Sequence, residues 1–438
     1  MKLPRNVQYI ISQLESAGYE GYAVGGCVRD SILQKEPDDW DITTSASPSE
    51  VKALFQRTID TGILHGTITV LIDKTGYEVT TYRIDGEYED SRHPKEVQFT
   101  SSLLEDLKRR DFTINAMAYN ERTGMVDEFG GMKDLEEGTI RCVGDPMERF
   151  SEDALRIMRA VRFSAQLGYT IEENTRSAIR KLCPNLKNIS VERINTELTK
   201  LIISNHPEYL RDAFEMGITE IIMPEFNAIM AMPQNNPHHC YSVGEHTLQA
   251  MKNSSPDKIL RYTILFHDFG KALTKTTDEE GIDHFYGHAD KSAELTQKIM
   301  KNLRFDNDTL HAVVKLVQYH DKKIETTPQA VRRAVATIGD ELFLKLLEVK
   351  RADFMAQSNY KREEKTETYQ TLQLLYQEMK EKAECTSLKT LAVNGKDLLD
   401  MGIKPGKEIG ELLSMLLEIV LEDPAKNTKE YLLSRICK

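Results

Sequence analysis

Cysteine is sparse and unpatterned: six in 438 residues, no two of them spaced as CxxC. That argues against a structural zinc site and against a disulfide framework, so reduced thiols are expected. No run approaches the roughly 20 apolar residues of a membrane span. Met1–Arg5 opens without the apolar core of a signal peptide, and the expectation is a soluble, cytoplasmic protein with no membrane partner. Positive charge is also short. Against 69 Asp and Glu there are 57 Lys and Arg, a formal charge of −12. A chain of that sign does not bind nucleic acid through its overall charge. An RNA-binding surface would have to be a local basic patch, for which Arg176, Arg180, Lys181 and Lys187 are the candidates. No low-complexity tract or short repeat is present, and the length allows about three domains.

What is present starts at Gly25-Gly26-Cys27-Val28-Arg29-Asp30, followed by Asp38-Asp39-Trp40-Asp41-Ile42-Thr43-Thr44. Two glycines allow a tight turn whose backbone N–H groups can approach a phosphate chain. Asp39 and Asp41 stand at i and i+2, one face of a strand, where they can hold one or two hard cations such as Mg²⁺. Metal carboxylates beside a phosphate cradle suit phosphoryl or nucleotidyl transfer. Residues 6–17 have helical spacing. Residues 66–72 and 77–83 read as a hairpin across Asp73-Lys74-Thr75-Gly76. Asp85–Glu96 is a charge-rich loop, and beyond about residue 140 nearly all periodicity is helical. Pro233 and Pro237 mark a junction between helical segments.

Further strings follow in order: Arg109-Arg110-Asp111-Phe112-Thr113-Ile114-Asn115-Ala116-Met117, Asp127-Glu128-Phe129-Gly130-Gly131, Glu152-Asp153-Ala154-Leu155-Arg156 and Glu192-Arg193-Ile194. Together with the glycine turn and the acid pair, they resemble the class II tRNA nucleotidyltransferases. These are the CCA-adding enzymes and bacterial poly(A) polymerases of the polymerase β superfamily. The resemblance is close over about residues 1–235. It implies that Glu78 is a third catalytic carboxylate beside Asp39 and Asp41. It also implies that Gly26, Arg29, Arg110, Asp111, Asn115, Asp153, Arg156, Arg159 and Arg162 contact the nucleotide, although Arg29 with Asp30 reads equally well as a structural ion pair. Asp85–Pro94 matches a loop kept by enzymes that add all three nucleotides. The partners implied are tRNA, CTP and ATP.

The Asp153 and Arg156 pair has a chemical logic of its own. At i and i+3, the two would project from one helix face. Asp only accepts hydrogen bonds and Arg only donates them. Cytosine and adenine both offer an amino donor beside a ring-nitrogen acceptor, so one such pair can read both. Uracil and guanine present the inverse, and each unmatched group would cost about 1–3 kcal/mol.

A second set of residues lies further on: His246, His267-Asp268, His288, His320 and Asp353. Their order, H…HD…H…H…D, resembles the metal site of the HD phosphohydrolases. Mixed imidazole and carboxylate ligands suit Ni²⁺, Mn²⁺ or Co²⁺. The expected fold is α+β. A small mixed-sheet nucleotidyltransferase head (1–140) leads to a helical neck that recognises the base (141–235), an HD domain (236–360) and a helical tail for tRNA (361–438).

The function implied is template-independent addition of C, C and A to tRNA, with a possible HD hydrolytic activity. The alternatives are a poly(A) polymerase, an alarmone synthetase–hydrolase and a non-catalytic tRNA-binding protein. The alarmone enzymes place their HD domain first, whereas here it comes second. The acids Asp39, Asp41 and Asp153 speak against a non-catalytic role.

Overall fold

The computed structural model describes residues 1–86, 97–235 and 240–436. The greater part of the expected Asp85–Pro94 loop therefore lies outside the described residues. The chain divides into two compact units, Met1–Pro224 and Glu225–Lys438.

The first unit carries the strands β1 (Gly21–Val24), β2 (Asp41–Thr44), β3 (Thr58–Gly62), β4 (Thr67–Ile72), β5 (Thr75–Thr81), β6 (Arg83–Asp85), β7 (Val97–Phe99), β8 (Ala118–Asn120) and β9 (Gly124–Val126). Seven of them form one sheet in the order β3-β4-β5-β2-β1-β8-β9, while β6 and β7 pair separately. The sheet is mixed because β2 and β5 run parallel while the other neighbours are antiparallel. That one parallel pairing aligns Asp41 with Glu78. The helix Arg5–Ser16 buries Val7, Ile10, Ile11 and Leu14, the i, i+3, i+4, i+7 stripe read from the sequence.

The β4–β5 hairpin is tighter than expected. Only Asp73 and Lys74 form its turn, both at positive φ, and Ile72 pairs with Thr75. A two-residue turn with two left-handed residues matches the right-handed twist of the strands. Gly76 belongs to the strand, where a Cβ would come within 2.8 Å of the Thr69 side chain. Its role is close packing rather than turning.

Beyond β9 the described part of the first unit is helical apart from a short parallel strand pair, Thr139–Ile140 with Thr170–Ile171. The helix Leu155–Leu167 is buried on most of its surface, including Arg156 and Arg162. The second unit is also helical apart from the small hairpin Thr276–Thr277 and Asp283–His284. Its boundary falls ahead of Pro233. The helix Pro224–Met230 packs within the second unit, where Phe226 faces Phe269 and Gly244 lies against Met230 with no room for a Cβ. Pro237 lies outside the described residues. Among the described residues, no helix is long and apolar enough to cross a membrane.

Candidate active site

Gly25 ends β1 with φ +83, a conformation that favours glycine, and opens the helix Gly26–Ile32. A Cβ there would sit 3.0 Å from the Arg110 guanidinium. The glycine turn and Arg110 therefore face one another. β2 begins at Asp41, so Asp39 lies in the approach to the strand rather than within it. The two acids are still brought together with Glu78. Burial and the neighbouring Asp39 charge push the Asp41 carboxyl up to about 6; Arg110 opposes the rise and Glu78 adds to it. Carboxylates crowded so that one resists ionisation are a fitting seat for a divalent cation.

Arg110 and Arg109 share one anchor. Asp106 is fully buried, with Arg109 at 2.7 Å, Arg110 at 3.5 Å and the Thr43 hydroxyl donating at 3.2 Å. It ties both arginines to β2. Asp111 accepts from the Phe112 N–H, Asn115 Nδ2 and Arg159 Nε, the last at 2.6 Å. Burial would raise the Asp111 pKa, but Arg159 and Asn115 outweigh it and hold the group down to about 2. It is a permanent carboxylate. Asn115 Oδ1 in turn accepts from Arg29 at 2.7 Å, while Arg29 also pairs with Asp30. Arg29, Arg159 and Arg162 surround the Phe163 ring at 5.1, 5.4 and 3.9 Å. Three guanidiniums are thus gathered around Phe163, of which Arg159 contacts Asp111 directly and Arg29 reaches it through Asn115. The Asp127-Glu128-Phe129-Gly130-Gly131 string is structural here. Asp127 accepts from the N–H groups of Gly131 and Met132, and a Cβ at Gly131 would strike the Thr113 carbonyl.

Asp153 and Arg156 do not share a helix face. Asp153 is extended, with φ −136, between the helices Pro146–Glu152 and Leu155–Leu167. Its side chain accepts from the Leu155 N–H, an Asp competing successfully for a backbone donor at a helix start. Nor do the two residues pair with each other. Asp153 is held by Arg193 at 3.1 Å, whereas Arg156 donates to Glu152 and to the carbonyls of Arg149 and Arg109. Each is fixed by its own partners, so the acceptor and the donor are held separately.

In the second unit the six metal-type residues converge. His246 Nε2 lies 2.8 Å from Asp353, and His267 Nε2 lies 3.3 Å from Asp268. His288 and His320 approach the other Asp268 oxygen at 3.5 and 3.9 Å, and each other at 3.2 Å. Nδ1 of His246, His267, His288 and His320 faces a backbone carbonyl (Ala356, Ile264, Phe285 and Val317, respectively), which turns every Nε2 inward. Metal-binding imidazoles are oriented in this way. Two sets of donors result, His246/His267/Asp268 and Asp268/His288/His320, each within 4.8 Å. Burial disfavours charge on His267, yet Asp268 and Asp353 lift its pKa to about 10. The two carboxylates call for a cation at the centre. His267 Nε2 and Asp268 Oδ2 make no hydrogen bond of good geometry, although Lys271 Nζ lies 2.8 Å from Asp268 Oδ2. The donor set fits a transition metal.

Sequence reasoning assigned no role to Asp106, Arg193, Glu197 or Lys271. Asp106 was within reach, since it stands three and four residues before Arg109 and Arg110. Lys271 likewise stands at i+3 from Asp268. Arg193 and Glu197 hold Asp153 and Arg162 across about 40 residues, and no local spacing signals that. Of the proposed basic patch, Arg176 is paired with Asp212 and Glu215, and Arg180 with Glu173.

Comparison with known proteins places these residues in one family. Residues 21–141 match the poly A polymerase head domain, and 168–230 a probable RNA and SrmB-binding site of polymerase A. Residues 273–436 match a putative tRNA nucleotidyltransferase domain 2. The CCA-adding enzyme of Levilactobacillus brevis is 36% identical over 98% of this chain and 96% of its own length. That of Lactiplantibacillus plantarum is 55% identical over 45% of this chain and 49% of its own. The structure of the Bacillus stearothermophilus CCA-adding enzyme in complex with CTP superposes with a TM-score of 0.75 at 29% identity, covering 100% of this chain and 98% of that one. The Thermotoga maritima CCA-adding enzyme complexed with tRNA shares the fold, with a TM-score of 0.59 at 20% identity over 99% and 94% of the two chains. With 36% identity to one relative over nearly the full length of both chains, the chain belongs to the CCA-adding enzymes.

Proposed function

We propose that this chain completes the 3′ end of tRNA by adding C, C and A from CTP and ATP, using the residues assembled above. The observation that carries the reading is the parallel pairing of β2 with β5. It sets Glu78 opposite Asp41, with Asp39 adjoining and Arg110 facing the glycine turn. Asp39, Asp41 and Glu78 are the residues that would hold Mg²⁺. Bound there, Mg²⁺ supplies charge neutralisation for the triphosphate and acidifies the attacking hydroxyl. The protein's own part is positional. The N–H groups of the glycine turn and Arg110 cradle the phosphates. Asp111, kept ionised by Arg159, is the acceptor for a ribose hydroxyl. Arg159 and Arg162 fix the nucleotide side of the pocket. Asp153 and Arg156 offer acceptor and donor to the base edge, so that the protein stands in for a template. Asp39→Ala or Asp41→Ala should abolish nucleotide incorporation into tRNA lacking its CCA end while leaving tRNA binding intact. Retained incorporation in either variant refutes the assignment.

The chain is read as four parts: head 1–140, neck 141–235, HD domain 236–360 and tail 361–438, working on tRNA in the cytoplasm. The apolar core around Leu398, Leu416, Val420 and Leu432 supports treating the tail separately from about Cys385 onward, whereas Leu372 and Met379 of the helix Arg362–Glu381 share a core with Leu316 and Phe343 of the HD part. For the HD domain the reading is a second, hydrolytic centre. His246, His267, Asp268, His288, His320 and Asp353 would hold Ni²⁺, Mn²⁺ or Co²⁺, which supplies a hydrolytic nucleophile near neutral pH. The inward Nε2 atoms and the doubly flanked Asp268 support it.

A further inference from the structure

Asp106 touches both halves of the polymerase centre, the strand that carries the acids and the arginines beside the glycine turn. It lies in the helix Leu103–Lys108 and is fully buried. Its Oδ2 accepts from the Thr43 hydroxyl at 3.2 Å. Thr43 stands two residues after Asp41, on the same face of β2. It pairs with Thr80 of β5 as Asp41 pairs with Glu78, and its hydroxyl also lies 3.2 Å from the Thr80 carbonyl. Asp106 is thereby referred to the strand pair that sets two of the three acids. The two arginines are held unequally. Arg109 gives Nε and Nη2 to Asp106 Oδ1 at 3.0 and 2.7 Å. Arg110 reaches Oδ2 only at 3.5 Å, and its buried Nε has no hydrogen-bond partner among the described residues. The Arg83 N–H of β6 lies 3.4 Å from Oδ1. Burial would raise the Asp106 pKa, but Arg109, Arg110 and Thr43 hold it below the ordinary carboxylate value, so the group stays ionised. Its charge is met mainly by Arg109, which leaves Arg110 short of partners.

We infer that Asp106 is a positioning residue for nucleotidyl transfer, which fixes Arg109 as a strut and tethers Arg110 beside the glycine turn, off the metal acids, until a triphosphate takes Arg110 over. The inference rests on the assignment of Arg110 to the phosphates and of Asp39, Asp41 and Glu78 to Mg²⁺. Arg110 already feels the Asp41 charge. Without Asp106, the nearest anions left to it are those acids, and a guanidinium drawn among them stands where the cation belongs. The tether has to be weak. A two-point contact such as that of Arg109 would resist transfer to the phosphates, whereas a single contact at 3.5 Å gives way easily. Two adjacent arginines serve this purpose because Arg109 stays behind. When Arg110 leaves, Asp106 keeps Arg109 and Thr43, and no buried charge is orphaned.

The test compares Asp106→Asn with the unaltered full chain by equilibrium dialysis, with Mg²⁺ present, of CTP and of cytidine, which has no phosphate. Asn keeps the size and an acceptor oxygen and removes the charge. CTP binding is expected to weaken about ten- to one-hundredfold, the worth of one hydrogen bond to a charged group, while cytidine binds as before. In single-turnover incorporation, CTP and ATP addition should slow by one common factor, because both carry the same phosphates. The Mg²⁺ concentration for half-maximal rate should rise. Arg110→Gln added to Asp106→Asn should weaken CTP binding no further than Arg110→Gln alone, because both changes act through one guanidinium. Tighter CTP binding would mean that Asp106 only dilutes positive charge. Equal weakening of CTP and cytidine would mean that it only holds the fold. Either result, or additive losses in the double variant, overturns the inference. Should Asp106→Asn fail to fold, Thr43→Val carries the same comparison with Thr43→Ser as the control that keeps the hydroxyl, and equal CTP binding by the two overturns it. Arg110→Gln alone judges the phosphate assignment separately: unchanged CTP binding in that variant would refute it.

Discussion

Asp41 offers the sharpest test of how the polymerase site is built. Burial and the Asp39 charge raise its pKa from 3.8 to about 6. The folded protein then holds a proton that the unfolded chain has released between those values. Asp41 imposes no cost below pH 3.8. As pH rises towards 6 the fold loses stability, and above about 6 the full cost of the ionised group is present. The gap from 3.8 to about 6 corresponds to about 3 kcal/mol, an upper figure. Asp41→Asn removes the charge and keeps the shape. In urea denaturation with a chelator present, followed by the emission of Trp40, it should stabilise the first unit by about 1–3 kcal/mol at pH 8. The gain should fall to about half at pH 5, where only part of the cost has developed. The same proton competes with Mg²⁺. Affinity for Mg²⁺ should be about tenfold weaker at pH 5 than at pH 7, because the ionised fraction of a group with a pKa of about 6 falls by that factor. A variant that is destabilised, or stabilised equally at both pH values, would refute the argument that crowded carboxylates wait for a cation.

Three other outcomes follow from the geometry. Asp153→Ala or Arg156→Ala should relax discrimination against UTP and GTP in single-turnover incorporation, and Arg193→Ala should do so more weakly by loosening Asp153; unaltered preference in the first two would end the templating argument. Glu197→Gln leaves Arg162 buried without the countercharge now 2.9 Å away, and chemical denaturation should show a loss of about 3–5 kcal/mol. A loss below about 1 kcal/mol would mean that the pair is solvated in the working protein. The HD cluster should take up Ni²⁺, Mn²⁺ or Co²⁺. Because Asp268 and Asp353 hold the His267 proton up to about 10 against burial, uptake should release a proton, and affinity should keep rising with pH through neutrality. Metal titrations at pH 6, 7 and 8 that give one constant affinity would contradict this.

The two chemical centres were legible in the sequence to different depths. Asp39 and Asp41 could be read as a pair from their spacing alone, and the structure brings them together although only Asp41 is in β2. Glu78 could not be found from spacing; it depends on a parallel pairing between strands 37 residues apart. The histidines and aspartates of the second unit were visible as an ordered set. Their inward aim was not, because it depends on backbone carbonyls such as those of Ile264 and Val317. The i, i+3 relation of Asp153 to Arg156 suits a helix, but capping of the Leu155 N–H by Asp153 overrides that spacing. Elements with strong periodicity, such as Arg5–Ser16, were found to within a residue. Gly76 reads as a turn residue in the sequence, but it lies in β5 and packs against Thr69, so the β4–β5 turn is shorter than the sequence suggests.

The protein itself selects C, C and then A. The most direct measurement supplies tRNA ending just before its CCA with Mg²⁺ and CTP alone, ATP alone, or both, and resolves the products to single nucleotides. Two additions are expected with CTP, none with ATP, and three with both, after which growth stops. Continuous growth with ATP alone, or no use of CTP, would contradict it and identify a poly(A)-adding activity.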